Sequence, residues 1–237
     1  MLDSLLAPID PTRLHSLTWI VSWHGRSMIL AWGMFLPLGV LIARFCKITP
    51  AQDWPHELDN HTWWHWHLVL QITGGILMLF GLLLILNRPT HNEAALSTHA
   101  ILGWVVFSMG TLQILSGLLR GSKGGPTSPA RDGTLHGDHY DMTRYRKAFE
   151  YYHKFVGYGL LLLSVFTVMT GMWHANAPVW MWLGLVAWWC CLLLVFGYAQ
   201  HKGFAVDTYR AIWGPDQEHP GNRIKPIGFG LSKPREK

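Results

Sequence analysis

Histidine is the residue type in this sequence with the greatest capacity for site chemistry, because a neutral imidazole is a common metal ligand. The 237 residues include 14 histidines, and most of them lie in polar segments. Four instead lie near the start of a long apolar stretch: His24, His67, His99 and His153. Ionisable side chains within membrane-spanning segments are rare and usually functional. These four histidines are therefore the candidate metal ligands.

Five apolar stretches could position these histidines, and each is long enough to cross a lipid bilayer. They cover residues 27–45, 66–86, 100–119, 156–172 and 179–197. A helix of about 20 residues spans the ~30 Å hydrocarbon core. Half of the chain is hydrophobic and only 14% is charged, whereas soluble domains average roughly 25% charged residues. The sequence predicts an all-α, polytopic membrane protein with five transmembrane helices.

The order of the helices predicts which histidines meet. Consecutive membrane helices run in opposite directions, so the first four form an up-down four-helix bundle in which alternate helices are diagonal partners. This pairs His24 with His99 near one membrane face and His67 with His153 near the other. Two bis-histidine sites of this kind suit two b-type haems. An interfacial position explains any single histidine equally well, but four at matched depths favour ligation; His65 is the alternative to His67.

Small and basic residues near the histidines are the expected surroundings of a haem. Small residues that would let a flat porphyrin approach the backbone are Ala31, Gly74, Gly75, Gly103 and Gly157, although helix packing explains them equally well. Haem propionates need cationic partners, and the candidates are Arg26 at one face and Lys154, Arg146 and Arg44 at the other. Anchoring at lipid headgroups is the more common role of such residues. Hydroxyl groups that could accept from the second ring nitrogen of a ligand are those of Ser22 and Thr98.

The basic residues also predict the orientation in the membrane. Of the 19 Lys and Arg residues, only Arg13, Arg26 and Arg88 lie on the side of the N-terminus, so the N-terminus is expected outside and the C-terminus in the cytoplasm. The net charge of +5 suits anionic lipid headgroups, and no nucleic-acid partner is expected. The predicted organisation is an extracytoplasmic segment, a transmembrane domain with a cytoplasmic loop at 120–152, and a cytoplasmic tail at the surface or partly disordered: 1–16, 17–200 and 201–237.

Four segments around these histidines resemble the cytochrome b561 superfamily, most closely its bacterial members and the b561 module of DOMON-linked ferric reductases. The segments are residues 24–44, His67-Leu-Val-Leu-Gln71, His99-Ala-Ile-Leu-Gly103 and His153-Lys-Phe-Val-Gly157. The similarity spans about residues 20–200. The resemblance implies a core of two b-type haems with ligands on four successive helices, in the pairing that the helix order also predicts.

The leading functional hypothesis is a transmembrane electron conduit that carries electrons through two haems, from a donor at one face to an acceptor at the other. The resemblance implies an oxidoreductase with ascorbate or quinol as donor and a ferric chelate or periplasmic cytochrome as acceptor, in the bacterial inner membrane. An alternative is a haem-bearing anchor subunit of a quinone-linked dehydrogenase, and assembly as a homodimer or within a complex is compatible with both. A non-haem transporter or structural subunit is less favoured, because the predicted spans lack the acidic residues that transporters place near the midplane.

Overall fold

The computed structural model describes residues 2–15, 17–88, 97–120, 144–223 and 225–231. Most of the predicted loop at 120–152 and most of the connection before the third apolar stretch lie outside these residues, and so does His91. The described residues contain no β-strand, only an isolated bridge between Pro8 and Pro178. The fold is therefore all-α, as predicted.

The helices are bounded as follows: α1 Leu2–Leu6, α2 Trp19–Met28, a π-helical segment Ile29–Phe35, α3 Leu36–Phe45, α4 Thr62–Leu86, α5 Thr98–Leu118, α6 Arg144–His174, α7 Val179–His201, α8 Thr208–Trp213 and α9 Pro220–Arg223. Five continuous helical segments are long and apolar enough to cross a membrane, the first being α2, the π-helical segment and α3 together. The prediction of five membrane-spanning helices is confirmed, and the chain is an integral membrane protein.

Four of these helical segments begin earlier than their apolar stretches, the first by eight residues and α5 by two. Helix α4 starts four residues before position 66, and α6 starts twelve residues before position 156. His153 is consequently the tenth residue of its helix, whereas His99 is the second residue of α5. The run of apolar residues locates the part of a helix that lies in lipid. It does not indicate polar turns that extend the same helix beyond the membrane.

The π-helical segment is explained by the proline at position 37. In an α-helix the N–H of residue 37 would bond to the carbonyl of Gly33, but proline has no N–H and its ring crowds that carbonyl. The wider turn relieves this crowding. The indole Nε1–H of Trp188 on α7 donates to the Gly33 carbonyl oxygen at 2.8 Å. The fifth membrane helix thereby supplies the hydrogen bond that the proline removes.

The chain divides into two compact units, and all five membrane-spanning segments contribute to both. The first unit contains residues 1–38, 70–114 and 158–194, and the second contains residues 39–69, 115–157 and 195–237. The first unit has an apolar core that includes Ala31, Trp32, Met78, Val106, Leu160 and Met172. Smaller apolar clusters, around Phe45 and around Tyr209, lie in the second unit.

Each unit also fastens a segment that lies outside the membrane-spanning helices. In the first, the amide of Asn176 donates to the carbonyls of Asp10 and Arg13, both at 2.9 Å. In the second, the segment 203–231 forms α8 and α9 and buries Ala205, Val206 and Ile212, among others. This part of the tail is structured rather than disordered, and residues 232–237 lie outside the described residues.

Candidate functional site

All four candidate histidines use the same ring nitrogen for a hydrogen bond to the protein. The Nδ1 atom lies 2.8 Å from the Gly81 carbonyl oxygen in His24, 3.0 Å from that of Thr167 in His99 and 2.9 Å from that of Gly39 in His67. In His153 the Nδ1 atom lies 3.4 Å from the hydroxyl oxygen of Ser116. The four partners come from four different helices, none of them the histidine's own.

This arrangement determines the tautomer for three of the rings. A carbonyl oxygen can only accept a hydrogen bond, so Nδ1 carries the hydrogen in His24, His67 and His99, and their Nε2 atoms present a lone pair. Histidines that ligate metals usually donate their other ring N–H to a carbonyl or carboxylate, which fixes the ring orientation and raises ligand basicity. The residues therefore fit an axial ligand set for haem iron.

His24 and His99, which we call the first histidine pair, lie together in the first unit. Their ring centroids are 6.2 Å apart with the planes at 85°. A Cβ atom at Gly171 would lie 2.7 Å from Cε1 of His99, so any larger residue there would displace the ring. Gly171 thus makes room for the ring of His99. The Gly81 carbonyl accepts from His24, and a Cβ at Gly81 would approach Met28 Cε at 3.1 Å.

His67 and His153, which we call the second histidine pair, lie in the second unit and are close enough to interact electrostatically. The ring of Phe149 stacks on His153 at a centroid distance of 5.0 Å. A Cβ at Gly117 would contact Cε1 of His153 at 3.5 Å. His65 is exposed, whereas His67 is half-buried and holds the bond to Gly39. The geometry favours His67 over His65 as the ligand.

The small residues have varied surroundings. A Cβ at Gly103, on the face of His99, would meet no atom within 4 Å, whereas Ala31 is fully buried. Gly74 admits the Leu36 side chain, which lies 2.7 Å from the position of a Cβ, and Gly75 admits Ile114 at 2.9 Å. Gly74 and Gly75 therefore serve helix packing.

Comparison with known proteins places these features in context. No family model and no solved structure matches the chain. Two cytochrome b561 and DOMON domain-containing proteins of Arabidopsis thaliana are 31% and 29% identical over 152 and 157 residues, covering 63% and 65% of this chain and 27% and 34% of theirs. Ferric-chelate reductase 1 of Bos taurus is 29% identical over 184 residues, covering 76% of this chain and 28% of that protein.

The predicted resemblance to cytochrome b561 proteins is confirmed. The chain spans about a third or less of the length of each of these relatives.

Two of the four basic residues that the sequence suggested as cofactor partners, Arg26 and Lys154, differ in their surroundings. Arg26, beside His24 in the cytochrome b561-like region, is exposed and lies over the ring of Trp23 at 5.2 Å. Lys154 is held by Glu150 at 2.5 Å and by the Ile227 carbonyl at 2.9 Å. Arg26 is therefore accessible, while Lys154 already belongs to a network within the protein.

Sequence reasoning missed the acceptors of the ring nitrogens. Neither Ser22 nor Thr98 accepts from the histidines in the contacts of the described residues. Backbone carbonyls accept from three of the rings, and the Ser116 hydroxyl lies 3.4 Å from Nδ1 of His153. Every residue has a carbonyl, so no pattern in a cytochrome b561-like sequence marks which carbonyl faces an imidazole. Ser116 and Gly117, adjacent polar and small residues in an apolar helix, were the signal that could have indicated the surroundings of His153.

Proposed function

We propose that this chain is a diheme b-type cytochrome that carries electrons across a membrane. His24 and His99 would ligate one haem and His67 and His153 the other. The observation that carries this proposal is that all four Nδ1 atoms lie beside a protein oxygen, which in His24, His67 and His99 leaves the Nε2 lone pair for a ligand bond. Haem supplies a one-electron carrier whose potential depends on its axial ligands and its surroundings.

The chain's own residues hold and tune that carrier. The carbonyls of Gly81, Gly39 and Thr167 orient three imidazoles and increase their basicity, which favours binding of ferric iron. Arg26 would donate to a propionate of the first haem from its exposed position beside His24. Lys154 would do so for the second haem, because its ammonium group has three N–H donors and the two oxygens that it contacts occupy two of them.

The pairing supports electron passage because each unit contains one histidine pair. We assign the first pair to the extracytoplasmic side and the second to the cytoplasmic side of a bacterial inner membrane, on the charge asymmetry of the sequence. The donor would be ascorbate or quinol. The relative named ferric-chelate reductase 1 supports a ferric chelate as the acceptor.

An optical spectrum of the purified protein tests this proposal. We expect the dithionite-reduced minus oxidised spectrum to show bis-histidine b-type haem, and a pyridine haemochrome assay to give about two haems per chain. Reduction of a ferric chelate enclosed in vesicles, by a donor added outside, would measure passage across the membrane. Colourless protein, or a single haem per chain, would contradict the assignment.

A further inference from the structure

Every described side chain that is both charged and buried lies in the second unit. Four of these are cations and two are acids: Arg44, Lys47, Arg120, Arg146, Glu150 and Asp207. The half-buried Lys154 adds another positive charge. Burying a charge is costly unless it is paired and hydrogen-bonded. The excess of buried cations therefore calls for acceptors.

Three of the four buried cations have acceptors within the second unit. Arg44 donates to the Gln200 side chain and to the Phe229 carbonyl, both at 2.7 Å. Lys47 donates to the Val206 carbonyl at 3.0 Å. Arg146 donates to Glu150 at 2.7 Å. Backbone carbonyls and one carboxylate thus satisfy most of this cluster.

Arg120 differs from the other three. Its side chain is 9% exposed, and its buried Nε has no hydrogen-bond partner among the residues that the structure describes. The guanidinium carbon lies 3.8 Å from the centre of the Trp64 ring, a contact that holds the plane of the group but accepts no N–H in that plane. Burial, together with the nearby charge of Arg146, lowers the pKa of Arg120 to about 10. The surroundings disfavour this positive charge unless an anion accompanies it.

Arg120 lies beside the second histidine pair. Its Trp64 platform is 5.9 Å from the ring of His67, centroid to centroid. Arg120 is also close enough to His67 to interact electrostatically with it. A haem bound by His67 and His153 would bring two carboxylates to this part of the protein, and the guanidinium fork matches a carboxylate in a bidentate geometry.

We propose that Arg120 binds a propionate carboxylate of the haem held by the second histidine pair, with Trp64 holding the guanidinium in place. This inference rests on the proposed function, because it requires a haem at that pair. A separate anion could supply the same carboxylate chemistry, and the experiment below distinguishes the two sources.

The test compares haem b with its dimethyl ester, in which both propionates are neutral. The full-length His24→Ala variant, which retains only the second pair, is prepared without haem and titrated with each compound while binding is followed by absorbance. With Arg120 present we expect haem b to bind more tightly than the ester. The ratio of the two affinities should fall roughly tenfold in Arg120→Gln, because a charge-assisted bidentate pair is lost.

Two further variants make the result specific. Arg223→Gln removes an exposed arginine that pairs with Glu218, and it should leave the ratio unchanged. Arg120→Lys retains a positive charge but loses Nε and the planar fork, so the ratio should fall by a smaller factor. Should Arg120→Gln not fold, Arg120→Lys decides, and an unchanged ratio there overturns the proposal.

The other outcomes separate the two levels of inference. Equal binding of haem b and its ester when Arg120 is present would show that the carboxylate partner of Arg120 is a separate anion, which also overturns the proposal. The same holds if both compounds bind and Arg120→Gln leaves their affinity ratio unchanged; the diheme assignment would then survive. Absence of binding by either compound, with His67 and His153 intact, would instead overturn the proposed function.

Discussion

In the first unit, the described residues around His24 and His99 include no side chain that is both charged and buried, and the buried polar groups there are neutral, such as Thr167 and Asn176. The second unit contains six buried charged side chains, and four of them, Lys47, Arg120, Arg146 and Glu150, are close enough to His67 or His153 to interact electrostatically with it. Both pairs nevertheless use Nδ1 in the same way. The ligand geometry is common to the two units, and the charge is not.

The difference in buried charge indicates how two b-type haems with the same ligands could have different midpoint potentials. Reduction of haem iron lowers its positive charge by one, so nearby buried cations favour the ferrous state through Coulomb repulsion of the ferric state. We therefore expect the haem at the second pair to have the higher midpoint potential.

The largest effect is expected from removing the ligands themselves. His24→Ala and His99→Ala should each abolish the same haem, and His67→Ala and His153→Ala the other, leaving about one haem per chain in every case. Redox titration of each variant would identify the remaining haem by its potential. Loss of one common haem from all four variants would refute the pairing, and His65→Ala, which changes an exposed histidine, is the matched control.

A second prediction concerns Lys47, which is buried in the second unit. Burial, reinforced by the nearby charge of Lys154, lowers the pKa of Lys47 from 10.5 to about 8. Between these pH values the unfolded chain binds more protons than the folded one, so stability should rise with pH, by up to about 3 kcal/mol. Thermal unfolding in detergent from pH 7.5 to 10.5 would measure this rise.

The gain should be absent in Lys47→Gln. Lys202→Gln changes an exposed lysine next to the segment 203–231, whose Val206 carbonyl accepts from Lys47. This variant should retain the rise in stability with pH. If stability rises equally with pH in the original chain, Lys47→Gln and Lys202→Gln, groups other than Lys47 cause the rise.

A third prediction uses two hydroxyl groups in similar positions. Ser116 lies 3.4 Å from Nδ1 of His153, and Thr170 lies 3.4 Å from Nδ1 of His99. His99 also bonds to the Thr167 carbonyl at 3.0 Å, so Thr170→Ala should leave the first haem unaffected. Ser116→Ala should weaken haem binding at the second pair roughly tenfold, the lower end of the range for such changes. Haem dissociation to excess apomyoglobin would measure both, and equal effects would contradict this distinction.

The smallest effect is expected at Asp10 in the first unit. Hydrogen bonds from Thr12, with the charge of Arg13 as a lesser cause, lower the pKa of Asp10 below its usual 3.8. Its stabilising contribution is therefore present above pH 3.8 and lost as the pH falls through the lowered value. Asp10→Asn should unfold slightly more easily than the original chain at pH 6, and this difference should disappear in strong acid. Asp3→Asn, which changes an exposed residue of α1, should show no such difference at either pH.

The sequence was sufficient for the membrane-spanning helices because their lengths and apolar composition are set by the bilayer. It also indicated the four histidines, since their residue type is costly in such helices. It could not indicate that α6 begins at Arg144, because an amphipathic first turn carries no transmembrane signal. The ordered segment 203–231 was likewise not predicted, because its fold depends on contacts such as that of Lys47 with the Val206 carbonyl, which join residues far apart in sequence.

Some features had a sequence signal that went unused. Pro37 alone predicts an irregularity in the first membrane-spanning helix, because proline lacks an N–H and its ring crowds the preceding turn. The tryptophan that compensates for it could not be identified, because α7 carries several tryptophans and only the three-dimensional structure shows that Trp188 reaches Gly33. Two of the buried cations, Arg44 and Arg146, were interpreted as propionate partners or headgroup anchors, because charge asymmetry does not reveal burial.

The use of main-chain oxygens by three of the four imidazoles has a consequence for mutational scans of this protein. Exchanging the side chain at residue 39, 81 or 167 leaves the oxygen that receives the imidazole hydrogen in the polypeptide. Such a scan would therefore detect ring orientation only through substitutions that shift a helix by a fraction of an ångström, for example a bulky residue in place of Gly81. Ser116 is the exception, so under the proposed diheme assignment genetic variation could adjust the potential of one haem through a single hydroxyl group and leave the other unchanged.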